Sequence, residues 1–141
     1  MEQRVSLITL GVADLSRAQA FYDGLGWTRS FKDAEGIVFY QVGGMAFSLY
    51  PRSALAKDAG LTDEGSGFSG MALAYNARTR TEVETVLAEA EAAGAHILTA
   101  AHDTFWGGYA GYFTDPDGFA WEVAWNPNFP LTADGAVVLP D

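Results

Sequence analysis

The sequence contains no cysteine in its 141 residues. Disulfide bonds, thiolate metal ligands and a cysteine nucleophile are therefore excluded, while the redox compartment stays open. Long apolar runs are also missing, since none approaches the roughly 20 residues that span a bilayer. Residues 1–4 lead directly into a strand-like segment rather than into a basic region followed by an apolar helix, so we predict a soluble, cytoplasmic protein.

Basic residues are scarce: 8 Lys and Arg stand against 18 Asp and Glu, which gives a formal charge of −10. This charge repels nucleic acid and anionic membranes, so neither is expected as a partner. A cationic or neutral small organic molecule fits better. The alternative, that the acidic residues only keep the protein soluble, stays open.

The length suits one compact domain over residues 1–141, and two parts of the chain share one order of elements. Asp14 is suited to cap the helix of the first part, and residues 81–84 fit a capping box for the helix of the second, which Gly94 ends. Predicted strands lie at 5–12, 27–31, 36–42 and 45–50, and again at 68–75, 96–99, 109–113 and 119–125. Two tandem βαβββ modules are therefore expected. Each module alone would expose one face of its sheet, and that face must be buried against another part of the protein.

The first module covers residues 5–50 and the second covers 68–127. The connector at 51–67 is polar and glycine-containing, with one helical turn expected at 53–57. The tail at 128–141 contains proline and acidic residues but offers no motif, and it is expected either to wrap the body or to be partly disordered.

The most informative stretch is 109–127, which reads YAGYFTDPDGFAWEVAWNP. It joins two aromatic strands through the turn at 115–118, which has Pro at its second position and Gly at its fourth. The second strand contains a carboxylate, Glu122. An unpaired buried charge costs several kcal/mol, so Glu122 must face water, a partner group or a cavity.

Several motifs in this chain resemble those of the vicinal oxygen chelate superfamily, which includes glyoxalases, extradiol dioxygenases, and fosfomycin- and bleomycin-resistance proteins. The resemblance covers about residues 6–127. The motifs are LGVADL at 10–15, AFY at 20–22, LGW at 25–27, FTDPDG at 113–118 and WEV at 121–123. The resemblance implies an α+β fold, in which two tandem βαβββ modules form a curved mixed sheet around a central cleft.

Metal-dependent members of that superfamily hold a divalent ion with four side chains, typically two His and two carboxylates. The resemblance places Leu7, Ser48, Gly70 and Glu122 at these four positions. Leucine and glycine have no ligating side chain and serine is a poor ligand, so we expect no metal site and no cofactor. We therefore do not expect this protein to have the metal-dependent glyoxalase and dioxygenase activities of the superfamily. His96 and His102 lie at neither ligand position and are interpreted as surface or hydrogen-bonded residues.

Strand alternation indicates which side chains accompany Glu122. If Glu122 faces the cavity, Trp121, Val123 and Trp125 face the helices. The same parity gives a roomy, largely apolar cavity face, formed by Leu7, Thr9, Gly11, Ala46, Ser48, Tyr50, Gly70, Ala72, Ala74, Ala120, Ala124 and Asn126.

Aromatic side chains from the loop and strand that flank the cavity in this superfamily are expected to stack on planar or cationic groups. They are Trp106, Tyr109 and Tyr112, and ordinary packing or a dimer contact is the alternative for each. The loop of His102 borders the same cavity. The predicted ligand-binding set is therefore Thr9, Ser48, Tyr50, His102, Trp106, Tyr109, Tyr112 and Glu122.

Three interpretations of Glu122 stay open: a structural hydrogen-bonding residue, an acidic anchor for a ligand, and a catalytic base with a raised pKa. The preferred hypothesis is a metal-independent protein that sequesters a small aromatic or cationic compound around Glu122. By resemblance to the antibiotic-sequestering members, a homodimer is expected. The alternatives are a lyase, isomerase or hydrolase that uses Glu122 as base or an unrecognised metal site, and an interaction module with a vestigial cavity.

Overall fold

The structure is a computed structural model that describes residues 1, 3, 6–65, 67–69 and 71–139. Its strands are β1 (Leu7–Val12), β2 (Arg29–Ser30), β3 (Val38–Val42), β4 (Met45–Pro51), β5 (Ala72–Asn76), β6 (His96–Asp103), β7 (Tyr109–Thr114) and β8 (Ala120–Trp125). Its helices are α1 (Leu15–Gly24), α2 (Arg52–Asp58) and α3 (Arg80–Ala93). Within these residues, no helix is long and apolar enough to cross a membrane.

The chain divides into two compact units, Met1–Ser66 and Gly67–Asp141. Each unit contains one four-stranded mixed sheet, with strand order β1-β4-β3-β2 in the first and β5-β8-β7-β6 in the second. In each sheet the first and last strands of the unit pair in parallel, and the remaining pairs are antiparallel. The predicted α+β fold of two tandem βαβββ modules is therefore confirmed.

The core of the first unit lies between α1 and one face of its sheet. Asp14 caps α1, as predicted, because its carboxylate accepts a hydrogen bond from the Arg17 backbone N–H at 2.9 Å. The buried ring of Tyr22 meets that of Phe47 at a centroid distance of 5.1 Å. The Tyr40 hydroxyl donates to the Asp23 carboxylate at 3.0 Å and so ties the sheet to the helix.

The predicted connector contains more helix than expected, since α2 covers seven residues instead of one turn. It packs on the first sheet at Gly11, where an added β-carbon would lie 3.2 Å from the Arg52 Cα. The absence of a side chain at Gly11 is what admits the helix this closely. This long-range contact is invisible to local propensity.

The start of α3 differs from the prediction. Thr79 is the N-cap and accepts a hydrogen bond from the Glu82 backbone N–H at 3.1 Å, so the capping box does not begin at Thr81. The same Ser/Thr-x-x-Glu pattern also fits two residues earlier, and the extended backbone of Thr79 (φ −141°) fixes the helix start there. The Glu82 carboxylate accepts hydrogen bonds from the Arg78 backbone N–H at 2.7 Å and from the Tyr75 hydroxyl at 2.6 Å.

The core of the second unit lies between α3 and one face of its sheet. Val83, Leu87 and Ala90 are the buried residues of the helix. A β-carbon at Gly111 would lie 2.6 Å from the Leu87 side chain, so the helix rests directly on the backbone of β7. The face of the sheet that carries Gly111 is therefore the covered one.

The predicted bounds of β2, β5 and β6 differ most from those in the structure. Strand β5 begins at Ala72, and Phe68, predicted within it, has a side chain that is 78% exposed. Strand β6 continues to Asp103 because it pairs with β7 through two register shifts, and β2 is only two residues long. The turn after β7 is confirmed by the hydrogen bond from the Gly118 N–H to the Asp115 carbonyl at 3.0 Å.

The described part of the tail is folded. A β-bridge pairs Leu131 with Val137, and the Val138 N–H donates to the Pro130 carbonyl at 2.9 Å. Of the two expectations for the tail, the structure therefore supports an ordered segment up to residue 139.

Candidate functional site

Glu122 lies in the middle of β8, with Ala74 of β5 on one side and Tyr112 of β7 on the other. Residues paired in register point to the same face, so these three side chains lie together. The neighbours of Glu122 in sequence, Trp121 and Val123, are buried on the opposite face. Strand alternation predicted that Glu122 and these two neighbours lie on opposite faces of the sheet, and the structure shows this arrangement.

A pocket of about 340 Å³ opens on the Glu122 face of the second unit. This volume lies within the range of small-molecule sites. Its walls combine one carboxylate, two amides, two methyl groups and two aromatic rings, supplied by Glu122, Asn76, Asn126, Ala74, Ala124, Trp106 and Phe129.

The loop between β6 and β7 positions Trp106. The Thr104 N–H donates to the Gly108 carbonyl, and the Gly108 N–H donates to the Thr104 hydroxyl, both at 3.0 Å. The indole ring lies directly on Gly108, because a β-carbon there would be 1.7 Å from the ring atom Cζ3. Glycine at this position therefore determines where the aromatic wall stands.

Tyr112 lies directly across the β-ladder from Glu122. Burial and a hydrogen bond to the Glu122 carboxylate raise the pKa of the Tyr112 hydroxyl above its ordinary value. The phenol is therefore protonated at neutral pH, and it lies beside Glu122 on the same face of the sheet. Of the predicted aromatic residues, Tyr112 and Trp106 are the two that the structure places beside this carboxylate.

Tyr109 lies on the other face of the sheet, contrary to the expectation that it flanks the cavity. Its hydroxyl donates to the Glu84 carboxylate of α3 at 2.6 Å, and the Arg80 guanidinium lies 4.4 Å from its ring centroid. The physical reason is the odd spacing between residues 109 and 112, which in a regular strand puts the two side chains on opposite faces. Tyr109 therefore packs against the helix.

The two histidines are exposed and stand outside the pocket lining. His102 pairs with Ala110 in register, and its Nδ1 lies 2.9 Å from the Ala100 carbonyl oxygen. His96 pairs with Thr114 at the far end of β6. The structure thus gives His102 a local hydrogen bond, in keeping with the interpretation of a hydrogen-bonded surface residue.

The remaining predicted site residues belong to the first unit. Thr9 and Ser48 are partners in register, and their hydroxyl oxygens are 2.7 Å apart. Ser48 is fully buried, so this hydrogen bond satisfies a polar group that has left water. The Tyr50 hydroxyl donates to the Asp58 carboxylate at 3.2 Å, and this contact raises the pKa of Tyr50.

The residues at the four superfamily metal positions do not fit a divalent ion. Leu7 is an aliphatic side chain that is 44% exposed, the Ser48 hydroxyl is bonded to Thr9, and Gly70 lies outside the described residues. Within the described part of the chain, no group of three or more His, Asp or Glu side chains could hold a metal. Among the described residues, Glu122 is thus not part of a group of three or more such side chains.

Sequence reasoning missed three lining residues as candidates for ligand contact. Asn126 was placed on the Glu122 face but not considered as a binding group, and Asn76 follows from the same alternation along β5. Phe129 lies in the tail, where no period relates it to the strands. Only contacts made in the folded chain bring Phe129 to this pocket.

A sequence profile of the Glyoxalase/Bleomycin resistance protein/Dioxygenase superfamily matches residues 4–123. The chain belongs to this superfamily, which confirms the resemblance seen in the sequence. Comparison with curated proteins gives no significant match.

Solved structures extend this result. The chain is 39% identical to a glyoxalase-related enzyme from Fulvimarina pelagi, with 99% of both chains covered and a TM-score of 0.88. It is 25% identical to lactoylglutathione lyase from Agrobacterium tumefaciens, with 88% of this chain and 94% of that chain covered and a TM-score of 0.65. The fosfomycin resistance protein FosX from Listeria monocytogenes shares the fold at 19% identity, with 89% and 93% covered and a TM-score of 0.68.

Proposed function

We propose that this protein binds a small organic molecule with an aromatic or cationic group in the pocket at Glu122, without a metal ion. The observation that carries the proposal is the composition of the pocket wall, in which one carboxylate stands among two methyl groups and two aromatic rings. A cation there gains both a charge partner and aromatic faces.

Charge and chemistry across the whole chain support the same ligand class. The formal charge of −10 attracts cations and disfavours anions. The two asparagine amides supply both donors and acceptors, so they would orient a neutral polar group beside the charged one. By family resemblance, the protein is proposed to act as a homodimer, and a cytoplasmic location is proposed separately.

The test is a panel of small aromatic cations, neutral aromatics and aromatic anions, read by tryptophan quenching and thermal shift. We expect saturable quenching and stabilisation by the cations, because a ligand that binds only the folded state raises its stability. Glu122→Gln should weaken cation binding about tenfold or more, which corresponds to the loss of one charge-assisted contact. Glu91→Gln, an exposed residue of α3, is the matched control and should leave binding unchanged.

The metal-independent part of the proposal has its own measurement. Protein purified without chelator should contain far less than one equivalent of Mn, Fe, Ni or Zn by elemental analysis. Stoichiometric metal that resists dialysis would contradict it.

An enzyme is the second candidate, and the Glu122–Tyr112 pair favours it. A carboxylate beside a protonated phenol provides a base and an acid on neighbouring strands, and Glu122 is the one of the two that lines the pocket. The relatives from Fulvimarina pelagi and Agrobacterium tumefaciens, one a glyoxalase-related enzyme and the other a lyase, support this candidate. If the chain turns over a metabolite, and Glu122→Gln abolishes turnover while it retains binding, the base interpretation replaces simple sequestration.

A further inference from the structure

The segment that follows β8 forms part of the pocket, although it lies beyond the match to the superfamily profile at residue 123. Asn126 and Phe129 line the Glu122 pocket. They also line a second pocket of about 330 Å³. The walls of the two pockets therefore share Asn126 and Phe129.

Local hydrogen bonds fix the conformation of this segment. The Asn126 side-chain oxygen accepts from the Asn128 N–H at 2.9 Å, and its carbonyl accepts from the Phe129 N–H at 3.2 Å. The chain then continues into a turn that the Thr132 N–H closes by donating to the Ala136 carbonyl at 2.9 Å. The ring of Phe129 is thus presented by a folded segment rather than by a free tail.

Arg78 holds this segment to the body of the second unit. Its guanidinium nitrogen Nη2 donates to the carbonyls of Thr132 and Ala133, each at 3.0 Å. A β-carbon at Gly135 would come within 3.8 Å of the same nitrogen, so the turn wraps closely around the charge. The backbone of Arg78 is fixed in turn by its hydrogen bond to the Glu82 carboxylate.

We propose that residues 126–139 form a specificity-determining wall of the Glu122 pocket, and that Arg78 is the positioning residue that holds this wall in place. The inference rests on the proposed function and adds the ligand class. With Trp106 and Phe129 both lining a pocket of about 340 Å³, the preferred ligand is a cation that carries one aromatic ring. Because Phe129 lines both pockets, we expect loss of its ring to enlarge the Glu122 pocket and admit larger ring systems.

The first test compares two probes, phenyltrimethylammonium and a naphthyl analogue of it. Phe129→Ala should lose about tenfold in affinity for the one-ring probe, the size expected for one aromatic contact to a cation, and should gain relative affinity for the two-ring probe. Phe129→Leu, which keeps much of the side-chain volume, should fall between the wild type and Phe129→Ala.

The second test separates positioning from general stability. Arg78→Ala should shift the one-ring to two-ring selectivity in the same direction as Phe129→Ala, and Arg78→Lys should restore much of it, since an ammonium also donates to carbonyls. Arg52→Ala is the control. It removes an exposed arginine of the first unit, which pairs with Asp63 of the same unit, and it should leave the selectivity unchanged.

Two measurements need no ligand. Phe129→Ala should increase acrylamide quenching of tryptophan fluorescence, and this increase should vanish in a Trp106→Phe background. Arg78→Ala should speed hydrogen exchange of the Ala136 and Val138 amides about tenfold or more while it spares the interior of α3.

The outcomes distinguish the two proposals. In one outcome, the wild type binds both probes while neither Phe129→Ala nor Arg78→Ala changes the ratio of the two affinities. That result would overturn the proposed wall and leave the proposed function standing. If the wild type binds neither probe, the proposed function fails, and unchanged quenching and exchange would then overturn the wall as well. Changed quenching and exchange would support the wall as a structural element around Trp106.

Discussion

At the scale of single residues, the chemistry of this protein depends on the surroundings of Glu122. Its neighbour on β5 is the methyl group of Ala74, and its neighbour on β7 is the hydroxyl-bearing ring of Tyr112. The carboxylate therefore has a methyl group on one side and a phenol on the other. A cation bound in the pocket would contact the Glu122 carboxylate from the open side.

The titration of Tyr112 reports this arrangement. Its pKa is raised by burial, by its hydrogen bond to Glu122 and by the Glu122 charge. Glu122→Gln removes the charge and weakens the hydrogen bond, so the pKa of Tyr112 should fall towards its ordinary value while the contribution of burial persists. Ultraviolet titration, with Tyr112→Phe used to assign the signal, measures the change.

A matched control exists on the opposite face. The pKa of Tyr109 is raised chiefly by its hydrogen bond to Glu84. Glu84→Gln should therefore lower the pKa of Tyr109 and leave Tyr112 unaffected. An unchanged Tyr112 titration in Glu122→Gln would show that the two residues are not paired.

The same two tyrosines show what sequence can decide at this scale. Alternation along β7 is sufficient to separate Tyr112 from Tyr109, and the error lay in assigning both to the cavity because their strand flanks it in the superfamily. Phe129 is different, because no periodic pattern precedes it and its segment makes long-range contacts, such as the hydrogen bonds from Arg78 to the carbonyls of Thr132 and Ala133. Such contacts are properties of the folded chain.

At the scale of elements, the loop between β6 and β7 sets the aromatic wall. Gly108→Ala should displace the Trp106 ring, because the new β-carbon would overlap it. We expect about tenfold weaker binding of phenyltrimethylammonium with little change in the free energy of unfolding, since the strands on either side are untouched. Tryptophan quenching and urea denaturation measure the two effects.

Gly44→Ala is the control for this substitution, since nothing lies within 4 Å of an added β-carbon there. It should alter neither binding nor the tryptophan signal. Wild-type affinity in Gly108→Ala would show that the position of Trp106 does not matter for the ligand.

The start of α3 links stability to pH. The Tyr75 hydroxyl, followed by the backbone N–H of Arg78, lowers the pKa of Glu82 below its ordinary value. A carboxyl group with a lower pKa in the folded state stabilises the fold above its unfolded pKa, and this contribution is lost as pH falls through the folded pKa. The wild type should therefore lose more stability than Glu82→Gln between about pH 5 and pH 3.

Urea denaturation across that pH range measures the difference. Glu91→Gln, in the same helix, should follow the wild type. Equal pH slopes for the wild type and Glu82→Gln would contradict the role given to Glu82.

The elements also show where local pattern is ambiguous. Both Thr79 and Thr81 stand three residues before a glutamate, so the sequence alone permits two helix starts. The helix α2 was underestimated because its stabilising contact is with Gly11, about forty positions earlier in the chain. Elements with a clear period and a strong cap, such as α1, were predicted with the correct cap.

At the scale of the whole molecule, the repeated βαβββ order was predictable because hydrophobic period, turn residues and superfamily motifs all agree on it. The location of a carboxylate on a sheet face was predictable for the same reason. Under the proposed function, the ligand is selected by residues that line the Glu122 pocket, among them Glu122, Trp106 and Phe129. Fold alone therefore does not decide between binding and catalysis.

The central claim is that the Glu122 pocket selects a positive charge on an aromatic ligand. Calorimetric titration of the wild type with phenyltrimethylammonium and with its neutral isostere tert-butylbenzene, repeated with Glu122→Gln, tests it most directly. We predict that the wild type prefers the cation by about tenfold or more and that Glu122→Gln loses this preference. Equal affinity of the wild type for the two ligands, or a preference that persists in Glu122→Gln, would contradict the claim.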